Sequence, residues 1–233
     1  MEIKVLHEDS HIIVVEKPSK VPSQGDKTGD KDMLTYVSEY LQGKNPKVKD
    51  PYVGLIQRLD RPVGGAMIFA KTKLANQKLS EQIKLKEIGK EYFGVVCGVP
   101  TDKQNDLVDY LLKSTQLNMS KVVSKGTTNA KEAILEYEMI ETIETQEYGP
   151  LSLLKINLKT GRHHQIRVQL SNANLPLWGD NKYNKSFVKQ KGWTQIALWA
   201  GVLKIDHPVT NKHYTFHSSP KEQYPFTLFQ KYK

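Results

Sequence analysis

Leu55-Ile-Gln-Arg-Leu-Asp-Arg-Pro-Val-Gly-Gly-Ala-Met-Ile-Phe-Ala-Lys71 sets a polar knot, Gln57-Arg58-Leu59-Asp60-Arg61, between two apolar runs. The second run, Ala66 to Ala70, is short and almost uninterrupted, the pattern of a strand buried on both faces. Pro62 fixes its own φ and pushes Arg61 towards an extended conformation. Gly64 and Gly65 allow backbone angles other residues avoid, or close approach of another group. One carboxylate between two arginines, on a shaped turn beside a buried strand, suits a site. The plainer alternative is a surface salt-bridge cluster at a strand end.

Working outward, Ile3 to Leu6 and Ile12 to Val15 predict a hairpin around Glu8-Asp9-Ser10, broken by Lys17-Pro18-Ser19-Lys20-Val21-Pro22. Asp32 can cap a helix with Met33, Leu34, Val37, Tyr40 and Leu41 at helical spacing and Gly43 as a stop. Thr72 can cap a second helix carrying Ala75, Leu79 and Ile83 on one stripe and ending at Gly89. Lys90 to Pro100 has the pattern of a buried strand closed by a turn. Residues 101–130 are less regular. Glu132 to Ile140 and Leu151 to Leu158 predict strands, the latter with Leu154, Ile156 and Leu158 alternating with Lys155, Asn157 and Lys159. In Thr160-Gly-Arg-His-His-Gln-Ile-Arg-Val-Gln-Leu170, Gly161 allows a strand-to-helix turn. Ile166, Leu170 and Ala173 form a buried stripe, with His163 and Arg167 one turn apart on a neighbouring face.

The chain has 233 residues, 38% hydrophobic and 25% charged, an ordinary globular composition, and no repeat or linker divides it. One domain over residues 1–233 is expected. Lys plus Arg number 34 against 25 Asp plus Glu, a net charge of +9 that suits a polyanionic partner. Cys97 is the single cysteine, so no internal disulfide can form; an apolar strand-like run makes a buried, inert thiol the favoured reading. No apolar segment is long enough to span a membrane, and the N-terminus has no signal-peptide core. A cytoplasmic protein without membrane contact is expected.

Several chemistries find no support. His207, His213 and His217 lack cysteine or carboxylate partners at a ligand spacing, although His213 and His217 share a strand face. Adjacent His163 and His164 would point apart from a helix. No Gly-x-Ser-x-Gly elbow, phosphate-cradling Gly-rich loop or dinucleotide fingerprint occurs.

Arg58-Leu59-Asp60-Arg61-Pro62-Val63-Gly64-Gly65, the apolar strand and Ala70-Lys71 resemble the active-site motif of RluA-type pseudouridine synthases. The resemblance runs on in order through the chain. It takes in the first strands with Lys17-Pro18, then Lys90-x-Tyr92 with Val-x-Gly-x-Pro, and Gly161-Arg162-His163-His164-Gln165-Ile166-Arg167. Pro176-x-x-Gly179-Asp180 with Tyr183 and the closing strands from Ala197 to Pro220 complete it. Three positions depart from the usual pattern: Gln57 stands for His, Val63-Gly64-Gly65 for Thr-Ser-Gly, and His163 for Thr. The family often has a small RNA-binding domain ahead of this point; here the chain starts at the catalytic hairpin, so its absence is expected.

The resemblance implies an α+β fold, a mixed and mainly antiparallel sheet with flanking helices around a central RNA-binding cleft. It implies a cofactor-independent, metal-free enzyme that isomerises specific uridines in structured rRNA or tRNA, working as a monomer. The bond from ribose to ring nitrogen is cut, the uracil turns, and it is rejoined through carbon. By the same resemblance Asp60 is the catalytic aspartate, Tyr92 stacks on the target base, and Arg167 pairs with Asp60. Gln57, Arg58, Arg61, Arg162 and His164 bind substrate, Arg58 helping to extrude the base. Two rival readings are a noncatalytic RNA-binding protein on the same fold, which would leave base identity unchanged, and a glycosylase, which would release uracil.

Overall fold

Buried backbone needs partners, and the apolar run beside the polar knot obtains them from strands on its flanks. The computed structural model describes residues 2–190, 192–220 and 222–230. In chain order the elements are β1 (Lys4–Glu8), β2 (Ile12–Lys17), α1 (Met33–Lys44), β3 (Gly54–Leu55), β4 (Gly64–Ala70) and α2 (Lys73–Leu85). There follow β5 (Gly89–Cys97), β6 (Gln104–Ser114), β7 (Met119–Val123), β8 (Lys131–Thr145) and β9 (Gly149–Leu158). The last are α3 (Gln165–Asn172), α4 (Lys185–Val188), β10 (Leu198–Asp206), β11 (His213–His217) and a 3-10 turn at Phe226–Leu228. Strands and helices do not alternate regularly, so the fold is α+β. The chain forms two compact units, Met1–Lys90 with Ala200–Ser219, and Glu91–Trp199 with Pro220–Lys233.

In the first unit the strand order is β1-β2-β4-β10, with β3 also on β4 and β11 on β10. β1 with β2, β2 with β4, and β10 with β11 are antiparallel. Every residue of β4 is buried. Ala66, Ile68 and Ala70 pack with Ile12, Val14, Ala75, Leu79 and Leu203, while Met67 and Phe69, on the opposite face, are equally inaccessible. The two helix caps form as expected: Asp32 accepts from Thr35 N–H, and Thr72 from Ala75 N–H. α2 stops earlier than its stripe suggests. Lys86 takes the left-handed conformation and its N–H bonds Gln82 and Ile83 carbonyls, leaving Gly89 to begin β5.

In the second unit the order is β5-β9-β8-β6-β7, antiparallel at each step. β6 and β7 form a hairpin within the stretch that the sequence presents as irregular. Leu111 is the one apolar residue of β6 that is buried, so hardly any alternating signal marks the strand. α3 is not amphipathic as its stripe implies: Gln165 to Leu170 are all buried. The side-chain amide nitrogens of its glutamines find acceptors there, while Gln169 Oε1 is buried without a hydrogen bond among the described residues. Gln169 Nε2 donates to the Leu107 and Ala133 carbonyls and to Asp109 Oδ2, and Gln165 Nε2 to the Ile134 carbonyl. The turn into α3 is made by His164, at φ 55°, and not by Gly161, which has no positive φ.

Candidate active site

The loop from Gln57 to Val63 belongs to the first unit, and its backbone is clamped. Ser23 Oγ donates to the Leu59 carbonyl (2.7 Å) and accepts from Leu59 N–H (3.0 Å). Lys17, at the end of β2 and fully inaccessible, donates to the carbonyls of Pro18 (2.9 Å), Val21 (2.6 Å) and Arg61 (3.1 Å). Lys20 N–H also bonds the Arg61 carbonyl, and Val63 N–H closes a turn on the Asp60 carbonyl. Burial drives the Lys17 ammonium down to about 7, against the opposing pull of the Asp60 carboxylate. Lys17 pairs in register with Gly65. Gly65 sits at φ 126°, and a Cβ there would lie 2.3 Å from the Ala200 carbonyl oxygen, so glycine is required next to this loop.

The side chains of the loop differ in what they meet. Asp60 is half-buried on this turn, and Gln57 donates to the Ala66 carbonyl at 3.3 Å. Arg58 is exposed and has no hydrogen bond or ion pair among the described residues. Arg61 is engaged by Lys20 O (2.9 Å), Thr28 Oγ1 (2.9 Å), Asp26 Oδ2 (3.3 Å) and Asp30. The polar loop of residues 24–31 thus strips Arg61 of much of its donor capacity.

Tyr92, Arg162, His164 and Arg167 belong to the second unit. Tyr92 is buried on β5 opposite Ile156. Arg167 is 3% exposed, and its fork is taken by Asp180, with Nε to Oδ2 at 2.8 Å and Nη2 to Oδ1 at 2.6 Å. The sequence motif contained Asp180 but assigned it no partner. Arg162 is exposed and donates Nε to the Glu132 carbonyl. His163 lies outside α3, so it is not one helical turn from Arg167. The His163 and His164 rings stack at 3.8 Å instead of pointing apart. His164 Nδ1 is 2.9 Å from the Tyr183 hydroxyl, and burial, with Arg167, His163 and Lys182, depresses its pKa to about 2.

Other polar groups have structural work. His207 Nε2 bonds Asp9 Oδ2 while its Nδ1 accepts from Val209 and Thr210 N–H, and His213 bonds Asp206. Among the described residues no three His, Cys, Asp or Glu side chains are grouped to hold a metal ion, and no helix is long and apolar enough to cross a membrane. The thiol of Cys97, partly buried and 3.4 Å from Asn184 Nδ2, is raised in pKa by burial.

The family of RNA pseudouridylate synthases matches residues 11–172, a span that includes Asp60, Tyr92 and Arg167. The chain belongs to that family. The synthase is of RluA type: ribosomal large subunit pseudouridine synthase D of Vibrio cholerae is 30% identical over 98% of this chain and 71% of the relative. Its namesake in Pseudomonas aeruginosa is 28% identical over the same shares. The fold is that of the human RNA pseudouridylate synthase domain containing 1 structure, with a TM-score of 0.76 at 19% identity, covering 97% of this chain and 86% of that one. The synthase is therefore an RNA-modifying isomerase. Lys17, Ser23, Asp180 and Tyr183 are the residues near the candidate groups to which sequence reasoning gave no role. Lys17-Pro18, Asp180 and Tyr183 did stand in the quoted motifs; Ser23 left no signal.

Proposed function

We propose that this synthase converts uridine to pseudouridine in a stem-loop of large-subunit ribosomal RNA, as a cytoplasmic monomer needing neither metal nor nucleotide. The names of its relatives support the choice of RNA. Asp60 is the catalytic aspartate, Tyr92 stacks on the target uracil, and Arg167 orients the carboxylate. The reaction is an isomerisation that breaks the ribose–N1 bond and joins the same sugar carbon to C5, whose proton leaves while N1 takes one up. A positioned carboxylate can serve as nucleophile or base in it. One observation carries the reading: a half-buried Asp60 on a clamped turn next to Arg58, whose exposed guanidinium has no partner among the described residues. Arg58 fills the space a flipped base leaves, offsetting an unstacking cost of a few kcal/mol. Gln57, Arg162 and His164 also contact the RNA.

Asp60→Asn tests this. The change is nearly isosteric but removes nucleophile and base, so turnover should fall by several orders of magnitude with RNA affinity retained. Substantial pseudouridine formation by the purified variant would refute the role of Asp60. Pseudouridine maps of ribosomal and transfer RNA from cells with and without the gene identify the target. Loss confined to transfer RNA would replace the ribosomal assignment.

A further inference from the structure

Tyr183 lies outside the residues assigned above, yet it touches two of them. Its ring lies beneath the Arg167 guanidinium, with Cζ 5.3 Å from the centroid. Its hydroxyl is 2.7 Å from Ser120 N and 2.9 Å from His164 Nδ1, and its ring meets the His164 imidazole edge-on. Its own N–H donates to Asp180 Oδ1, the oxygen that also receives Arg167 Nη2, and its carbonyl accepts from Ser171 Oγ. The residue is thus held both through its main chain and through its hydroxyl.

We infer that Tyr183 is a positioning residue for the isomerisation, seating Arg167 on its ring and fixing His164 as a neutral imidazole protonated at Nε2. The inference rests on Arg167 and His164 serving the site as proposed. A backbone amide can only donate, so Ser120 N–H takes one lone pair of the phenol oxygen, and the inference assigns the phenol proton to His164 Nδ1. Nδ1 is then an acceptor, and the imidazole proton resides on Nε2. The charged and titratable groups around His164 are Arg167, Lys182, Asp180 and the stacked His163. Asp180 already spends both oxygens on Arg167, so an imidazolium would face two cations with little compensation. Keeping His164 neutral thus protects the Arg167–Asp180 pair from a rival charge. The planar guanidinium also gains from the electron-rich ring face below it.

Three proteins and two readouts test this. Tyr183→Phe keeps the ring under Arg167 and removes the phenol. Its kcat should fall roughly tenfold, the effect of one lost hydrogen bond to a positioned group, with KM for RNA changed less than about twofold. Its kcat–pH profile should keep the wild-type shape on the acid side, because burial, Arg167, His163 and Lys182 still hold His164 neutral without the phenol. Tyr183→Leu also removes the ring and should lose about a further tenfold. Nitrogen-15 NMR of the wild type should show His164 as the Nε2–H tautomer from about pH 5 to 8, with that signature lost in Tyr183→Phe. A wild-type His164 protonated at Nδ1, or titrating in that range, overturns the inference. So does a Tyr183→Phe enzyme with wild-type kcat or an unchanged His164 tautomer, or a Tyr183→Leu enzyme no slower than Tyr183→Phe. Should Tyr183→Leu fail to fold, the wild-type spectrum and the kcat and spectrum of Tyr183→Phe decide. Full turnover by Asp60→Asn would sink the functional proposal while leaving the tautomer measurement standing.

Discussion

The two regions that carry the candidate groups are held in different ways. Around Asp60 the protein grips main chain: Lys17, Lys20 and Ser23 bond the backbone of Leu59 and Arg61, and the carboxylate itself stays half-exposed. Around Arg167 it grips side chains: the guanidinium is forked by Asp180, backed by Tyr183, and carried on a helix whose next six positions from Gln165 are buried. A loop held by its backbone tolerates varied side chains, which fits Gln57 and Val63 as departures from the motif it resembles. A buried cation held by side chains has no such latitude, because every partner removed leaves an uncompensated charge.

The largest expected effect breaks the second region. Asp180→Asn leaves Arg167 buried with a neutral partner and should cost about 3 kcal/mol or more of stability. Urea unfolding and single-turnover rates below the melting temperature measure both consequences, and a loss under about 1 kcal/mol would place this pair with weak surface bridges. Arg167→Lys keeps the charge and loses the planar fork. Turnover of bound RNA should fall about a hundredfold from a misplacement near 1 Å, with affinity changed far less. Weakened binding beside an unchanged rate would move Arg167 to a phosphate-contact role.

The first region should yield by stability before chemistry. Lys17→Met takes a donor from the Pro18 and Val21 carbonyls, and from that of Arg61, which keeps Lys20 N–H, while relieving a buried charge. The net loss should be about 2 kcal/mol in urea melts, with a smaller loss in turnover than Arg167→Lys. The comparison with Lys17→Met also has a pH signature. Burial lowers the Lys17 ammonium from 10.5 to about 7, so the unfolded chain binds the extra proton between those values. Wild-type stability relative to Lys17→Met should therefore rise as pH increases from about 7 towards 10.5 and stay level below. A difference independent of pH would mean the ammonium is as comfortable buried as in water. Smallest of all, Asp26→Asn with Asp30→Asn frees Arg61 from an exposed loop. It should shift stability by less than about 1 kcal/mol and raise RNA affinity a few-fold, with a steeper salt dependence.

Much of the frame was legible from local pattern. β4 announced itself by a continuous apolar run, and the N-caps Asp32 and Thr72 by side-chain chemistry three residues from the amides they serve. Elements marked by weaker contrast were harder. The β6–β7 hairpin buries too little to alternate, and α3 carries buried Gln165, Arg167 and Gln169 where a helical stripe of apolar residues was expected. The left-handed turn fell to His164 and Lys86 where Gly161 and Gly89 were the natural candidates, because hydrogen bonds and stacking offset the strain of a Cβ there.

Membership of the synthase family, and the order in which Asp60, Tyr92 and Arg167 occur, follow from the sequence by itself. Residue order and spacing encode turns, caps and periodicity within a few positions. Which group satisfies which did not follow. Lys17 reaches the Arg61 carbonyl 44 positions away, Arg167 its carboxylate 13 positions away, and Tyr183 the Ser120 amide 63 positions away. Burial sets whether Lys17 holds its proton and His164 refuses one, and burial exists only once distant segments have packed together.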